Sequence, residues 1–191
     1  MDDTLITNRE VDLQSFNTVL EKHQLPPLSA ETLLNLRKKG HIADDILKQY
    51  SRIPVEQLIT ERKAVLQNFD VWKNARLNNG VKQALQKMKA RNDRVLVLTR
   101  KEQAMSERIL IHLGVRSLID GVYTSHEKDK FIADLLHEQP NTTIVFVSDA
   151  ENDLIPVKKL PVTVYCFKNA YKEKHKMQSI AKMITSLEEV L

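Results

Sequence analysis

The residues of this chain that could do chemistry stand at the ends of its apolar runs. "RVLVL" is followed by Thr99, and "TIVFVS" by Asp149, Glu151, Asn152 and Asp153. The run "FIADLL" is preceded by Lys128 and Lys130, and the chain opens with Asp2, Asp3 and Thr4. Taken singly, each has an ordinary use. A threonine after a strand can cap a helix, and "SDAENDL" can be a turn with an aspartate N-cap. A lysine at a helix start is usually solvated. The pair Asp149 and Asp153 is more pointed, because it follows a wholly apolar strand. It sets two carboxylates at one sheet edge, where Mg²⁺ could find the hard oxygen ligands it takes.

Those residues need elements to hold them. Residues 9–76 carry helical patterning throughout. "VDLQSFNTVLEKH" spaces Leu13, Phe16, Val19 and Leu20 at helical intervals. "SAETLLNLRKKG" follows a proline turn, with Ser29 as N-cap and Gly40 as stop. Pro54 suits a helix first turn ahead of "VEQLITERKAVLQNF". From residue 77 strand and helix alternate. "RVLVLT", "GVYTS", "TTIVFVSD" and "VTVYCFK" read as strands, and "GVKQALQKMKAR", "KEQAMSERILIHLGV" and "KDKFIADLLHEQ" as helices. "MQSIAKMITSLEEVL" reads as a closing helix. Such alternation implies a parallel sheet covered on both faces, with ligands at the carboxyl ends of its strands. The expected architecture is an α/β core carrying a helical insertion near its N-terminus.

Composition narrows the class. With 191 residues the chain can bury one good core with a modest insertion. No apolar run approaches the roughly 18 residues of a membrane span, and residues 1–20 lack the apolar stretch of a secretory signal. Cys166 is the single cysteine, so no internal disulfide can form; it reads as a buried structural thiol, and a cytoplasmic protein is expected. The net charge of +4 favours anionic partners. The basic residues fall in short groups, Arg37-Lys38-Lys39, Lys87/Lys89/Arg91 and Lys172/Lys174/Lys176, without interleaved aromatics. A nucleic-acid surface shows a focused stripe, so nucleic acid is not the expected partner. The six histidines form no metal-ligand spacing, and Trp72 reads as packing.

In this order, the set resembles the motifs of the haloacid dehalogenase superfamily, whose members are mostly phosphatases. Asp2-Asp3-Thr4 matches the end of the first motif, Asp-x-Asp-x-Thr. "VLVLT" matches the second motif, Lys128 or Lys130 the third, and "FVSDAENDL" the fourth, with Ser148 where glycine is usual. Residues 9–76 resemble the α-helical cap of the phosphoglycolate phosphatase and β-phosphoglucomutase type, above all at "EKHQLPPLSAETL". The resemblance implies a Rossmann-like parallel sheet with helices on both faces over residues 1–8 and 77–191, and a cap over 9–76. It implies a Mg²⁺-dependent phosphatase acting on a small phosphorylated metabolite through an aspartyl-phosphate. Asp2 would be the acid and base, Thr99 would bond a phosphoryl oxygen, and the lysine would neutralise charge on the transferring group. Spacing within the family favours Lys128 over Lys130. Asp149 and Asp153 would hold Mg²⁺, with Thr4 and Asn152 in support. Arg37, Lys38 and His41 of the cap are candidates for substrate choice. The paired acids of "DAEND" argue for phosphoryl chemistry over Mg²⁺-independent dehalogenation.

Aligned on Thr4, the first aspartate of the first motif, the nucleophile of the family, falls one position before Met1. The expectation is that the natural protein begins upstream, with an apolar strand and that aspartate, and that residues 1–191 alone are inactive. A central strand buries about four or five apolar side chains at about 1.5–3 kcal/mol each, a loss that a doubly wound sheet should not tolerate. The alternative is a catalytically inactive member of the superfamily, a binding or regulatory module that keeps Mg²⁺ and phosphate without turnover.

Overall fold

The computed structural model describes residues 1–50, 53–168 and 178–191. The basic group Lys172/Lys174/Lys176, His175 and Met177 lie outside the described residues. The described residues divide into two compact units, one containing residues 1–7, 77–168 and 178–191, the other Asn8–Arg76.

The Asn8–Arg76 unit is helical: α1 (Arg9–Lys22), α2 (Ala30–Lys38), α3 (Ala43–Leu47), α4 (Val55–Gln67) and α5 (Phe69–Trp72). Ser29 caps α2, its side chain accepting from the Thr32 N–H at 3.1 Å. Phe16, Leu20, Ile46, Leu47 and Leu58 form its core. Trp72 is buried as packing, its indole N–H donating to the Leu66 carbonyl at 2.8 Å.

The other unit is α/β. The chain leaves it through β1 (Ile6–Thr7) and returns through β2 (Arg76–Leu77). Then follow α6 (Val81–Ala90), β3 (Leu96–Thr99), α7 (Gln103–His112), β4 (Gly121–Thr124), α8 (Lys128–Glu138), β5 (Val145–Ser148), α9 (Glu151–Val157), β6 (Thr163–Phe167) and β7 (Lys182–Ile184). All of the pairings β3–β4, β5–β6 and β6–β7 are parallel. Parallel strands need helical crossovers, which supply the cover over the sheet faces. Ile132 of α8, Phe146 of β5, Leu154 and Val157 of α9 and Cys166 of β6 form one apolar cluster. Cys166 is accordingly a buried thiol. No helix among the described residues is long and apolar enough to cross a membrane.

Among the described residues the parallel strands form two separate pieces, β3–β4 and β5–β6–β7. Between them lies a cavity of about 240 Å³, walled by Leu96–Leu98 on one side and Ile144–Ser148 on the other, with Met1, Leu5, Phe131 and Leu187 completing it.

The C-terminal segment corrects the sequence reading. It is not a closing helix: Lys182–Ile184 pairs with β6, and Leu187–Val190 is a short 3-10 helix. The cause is tertiary. Ile184 is fully buried beside Phe167, a β-branched residue placed where a parallel neighbour is available. Glu189 then accepts from the N–H groups of Thr185 and Ser186 at 2.6 and 2.9 Å, closing the chain into a tight turn. Gly80, at φ +74°, approaches so close that a Cβ would stand 2.4 Å from the Ser186 hydroxyl oxygen. If Ile184 anchors β7 in the core, Ile184→Ala will cost about 2–5 kcal/mol. Urea unfolding monitored by far-UV circular dichroism measures this, whereas a residue on a loosely attached terminal helix would cost far less.

Candidate active site

Five short stretches of the α/β unit converge through hydrogen bonds and ion pairs. The first is the opening turn. The N–H groups of Leu5 and Ile6 both donate to the Met1 carbonyl, at 2.9 and 3.3 Å. Asp3 takes φ +55°, a left-handed conformation that aspartate tolerates better than most residues. Asn78 secures the turn from outside, its side-chain amide donating to the Thr4 carbonyl and its N–H to the Leu5 carbonyl, both at 2.9 Å. The turn buries Thr4, whose hydroxyl donates to Asp149 Oδ1 at 3.1 Å.

The second and third stretches end β3 and β4. Thr99 is buried and its hydroxyl oxygen accepts from the Lys101 N–H at 3.2 Å. Thr124 donates to the Lys101 carbonyl at 3.0 Å. The Lys101 ammonium lies 3.2 Å from Asp2 Oδ2.

The fourth and fifth stretches are the first residue of α8 and the end of β5. Lys128 is buried and its ammonium donates to Asp153 Oδ2 at 2.5 Å. The Ser148 hydroxyl donates to the same oxygen at 3.0 Å and accepts from the Ala150 N–H at 3.2 Å. Burial pushes the Asp153 carboxyl up, but the hydrogen bond and charge of Lys128, helped by Ser148, outweigh it and hold the pKa below its ordinary value.

The structure thus brings Asp2, Thr4, Thr99, Lys128, Asp149 and Asp153 into one region. Asn152 is exposed on α9. Lys130 points to solvent and pairs with Glu127 at 2.6 Å, which raises its pKa. Arg37, Lys38 and His41 belong to the helical unit. Arg37 is bound there by both oxygens of Asp12, at 2.7 and 3.0 Å, and donates to the His41 carbonyl at 3.2 Å. Arg62 also pairs with Asp12 and lies over the Phe16 ring, 4.3 Å from its centroid. Lys38 is exposed and His41 half-buried.

Sequence reasoning missed three participants. Lys101 stands two positions past Thr99, and only the β3–β4 pairing reveals its role. Ser148 looked like a departure from glycine, yet it is a working hydrogen-bond donor to Asp153. Asn78, at the join of the two chain textures, carried no signal.

Among the described residues no three His, Cys, Asp or Glu side chains gather as a metal cluster. The available donors are nevertheless carboxylate oxygens, the chemistry Mg²⁺ prefers, and Mg²⁺ is commonly held by one or two carboxylates with waters and substrate phosphate. Asp149, bonded by Thr4, and Asp153, bonded by Lys128 and Ser148, are the two carboxylates that would hold it. The residues present fit the ion.

The unit is a parallel α/β fold that carries its chemistry-bearing residues at the carboxyl ends of its strands. A family model described as haloacid dehalogenase-like hydrolase matches residues 1–167, and the chain belongs to that family. Three solved structures illustrate the likeness. A predicted phosphoglycolate phosphatase from Haemophilus somnus 129Pt is 19% identical with TM-score 0.77, the match covering 100% of this chain and 93% of that one. A haloacid dehalogenase-like family hydrolase from Streptococcus pneumoniae is 14% identical with TM-score 0.76, covering 100% and 93%. A HAD family hydrolase from Deinococcus radiodurans R1, with bound phosphate and sodium, is 15% identical with TM-score 0.72, covering 100% and 90%. No curated protein matches the chain.

The Lys128–Asp153 pair yields two expected outcomes. Lys128→Met leaves a buried carboxylate without its cation and will destabilise the protein by about 3–5 kcal/mol, measurable by denaturant unfolding. The folded Asp153 pKa lies below the ordinary value of about 3.9. Its contribution is therefore fully present above that pH and is lost as pH falls through the lowered value. The stability gap between the parent protein and Asp153→Asn will narrow below about pH 3.9, as melting temperatures in acid will show.

Proposed function

We propose that this chain is a Mg²⁺-dependent phosphatase of small phosphorylated metabolites, working through an aspartyl-phosphate. The observation that carries this reading is the buried Lys128 ammonium. It is fixed by Asp153, which Ser148 in turn holds, at the carboxyl ends of the strands, where a fixed cation stabilises charge on a transferring phosphoryl group. The phosphate in the Deinococcus radiodurans neighbour is in keeping with it.

Each residue has a task in this reading. In this reading the nucleophilic carboxylate is the residue that the family motif, aligned on Thr4, sets one position before Met1. Asp2 gives a proton to the leaving alcohol and later takes one from the attacking water. Thr99 donates its hydroxyl to a phosphoryl oxygen, and Lys128 neutralises the charge that develops there. Asp149, oriented by Thr4, would hold Mg²⁺ together with Asp153. When bound, that ion would offset the repulsion between carboxylate and phosphoryl oxygens. The helical unit is the cap that selects the substrate. Since Asp12 already engages Arg37, His41 and Lys38 are its better candidates for substrate contact.

The test is phosphate release from an aryl phosphate, using residues 1–191 and a version extended by an apolar strand ending in aspartate. Only the extended chain is expected to turn over, and chelation of Mg²⁺ will stop it. Asp2→Asn in the extended chain will slow turnover by about 10²–10⁴-fold. An extended, folded chain that releases no phosphate in the presence of Mg²⁺ would sink this reading in favour of a non-catalytic module.

A further inference from the structure

Lys101 is the charged group of this region to which neither the family resemblance nor the proposed reaction assigns a task. Its side chain is only 16% exposed, unusual for a lysine, which burial favours only when the ammonium is paired. The ammonium lies 3.2 Å from Asp2 Oδ2. The lysine backbone is fixed from both sides, its N–H by the Thr99 hydroxyl oxygen and its carbonyl by the Thr124 hydroxyl. These contacts join the ends of two paired strands, since Thr99 and Thr124 are register partners. The base of the Lys101 side chain is therefore held by sheet pairing, not by a free loop.

The second observation concerns the other carboxylate oxygen. Asp2 Oδ1 is buried and has no hydrogen-bond partner. A buried acceptor without a donor costs free energy, and such groups usually have a specific reason to persist. A terminal carboxylate torsion is otherwise broad, so an untethered aspartate would turn to satisfy that oxygen. Here one oxygen is tied and the other is presented bare.

We propose that Lys101 is the positioning residue of Asp2, tethering Oδ2 so that Oδ1 is the oxygen that exchanges the proton with the reacting group. The proposal rests on the phosphatase reading above. In the first half of the reaction the Oδ1–H bond breaks as the leaving oxygen gains its proton. In the second half an O–H bond of water breaks and Oδ1–H forms again, so Asp2 ends as it began. Lys101 touches neither substrate nor reacting atom. Thr99 serves both ends of this arrangement. Its oxygen accepts the Lys101 N–H, and so its own proton remains available to donate to a phosphoryl oxygen.

Two measurements on Lys101→Met and Lys101→Arg test the tether. The first is the crystal structure of Lys101→Met in the 1–191 chain: the Asp2 carboxylate will turn, and Oδ1 will acquire a partner. The second is steady-state hydrolysis of the aryl phosphate by the extended chain. Lys101→Met will lower kcat by about 10- to 100-fold with KM unchanged, the signature of misplacement near the reacting centre. Lys101→Arg, which keeps the charge, will recover most of the loss. An Asp2 carboxylate that stays in place without Lys101, or a Lys101→Met enzyme with parental kcat, overturns the proposal. If the carboxylate turns but the extended parent chain shows no turnover, the tether stands and the phosphatase reading is what fails.

Discussion

A buried ammonium beside a buried carboxylate organises the α/β unit. The Lys128 ammonium and the Asp153 carboxylate are both nearly withdrawn from solvent, and each offsets the cost of burying the other's charge. Their contact fixes the first residue of α8 against the third residue of α9, with Ser148 at the end of β5 supplying a further bond. Two helices and a strand are thereby set relative to one another at the point where the strands end. Asp149 follows directly from Ser148, so the place of its carboxylate, and of Thr4 bound to it, depends on the same contact.

A second constraint acts on the other side of the cavity. The end of β3 is tied to the end of β4 through the backbone of Lys101, and Lys101 in turn reaches Asp2. Asp2 and Thr4 leave the same turn in different directions, one towards the β3 side and one towards the β5 side. The opening residues therefore bridge two pieces of sheet that no strand pairing joins among the described residues. Side-chain chemistry does there what backbone hydrogen bonds do elsewhere in the sheet.

Much of this was legible from residue types at the ends of apolar runs. Thr99, Lys128, Asp149 and Asp153 were all visible, because a parallel sheet delivers its strand ends to one edge and the apolar runs mark those ends plainly. What local patterning could not show were partnerships between distant segments. "KMITS" has no strong period, so only the availability of β6 makes it a strand. Lys101 looks like any helix-start lysine until β4 is laid beside β3. Arg37 looked free for substrate. Its engagement with Asp12 joins α1 to α2, and that link depends on the fold of the helical unit. Charge patterns identify candidates; the partner each has already taken emerges only in three dimensions.

The divided sheet leaves its strands unequal. Among the described residues β6 has a neighbour on both sides, whereas β3 and β5 each have one. Successive amides of a parallel strand point alternately to its two neighbours. In β6 every amide can therefore be shielded by a strand, while in β3 and β5 every second amide faces the cavity between the two pieces. In residues 1–191 isotope exchange with solvent will accordingly follow a two-residue rhythm along the cavity-facing strands and be evenly slow along β6.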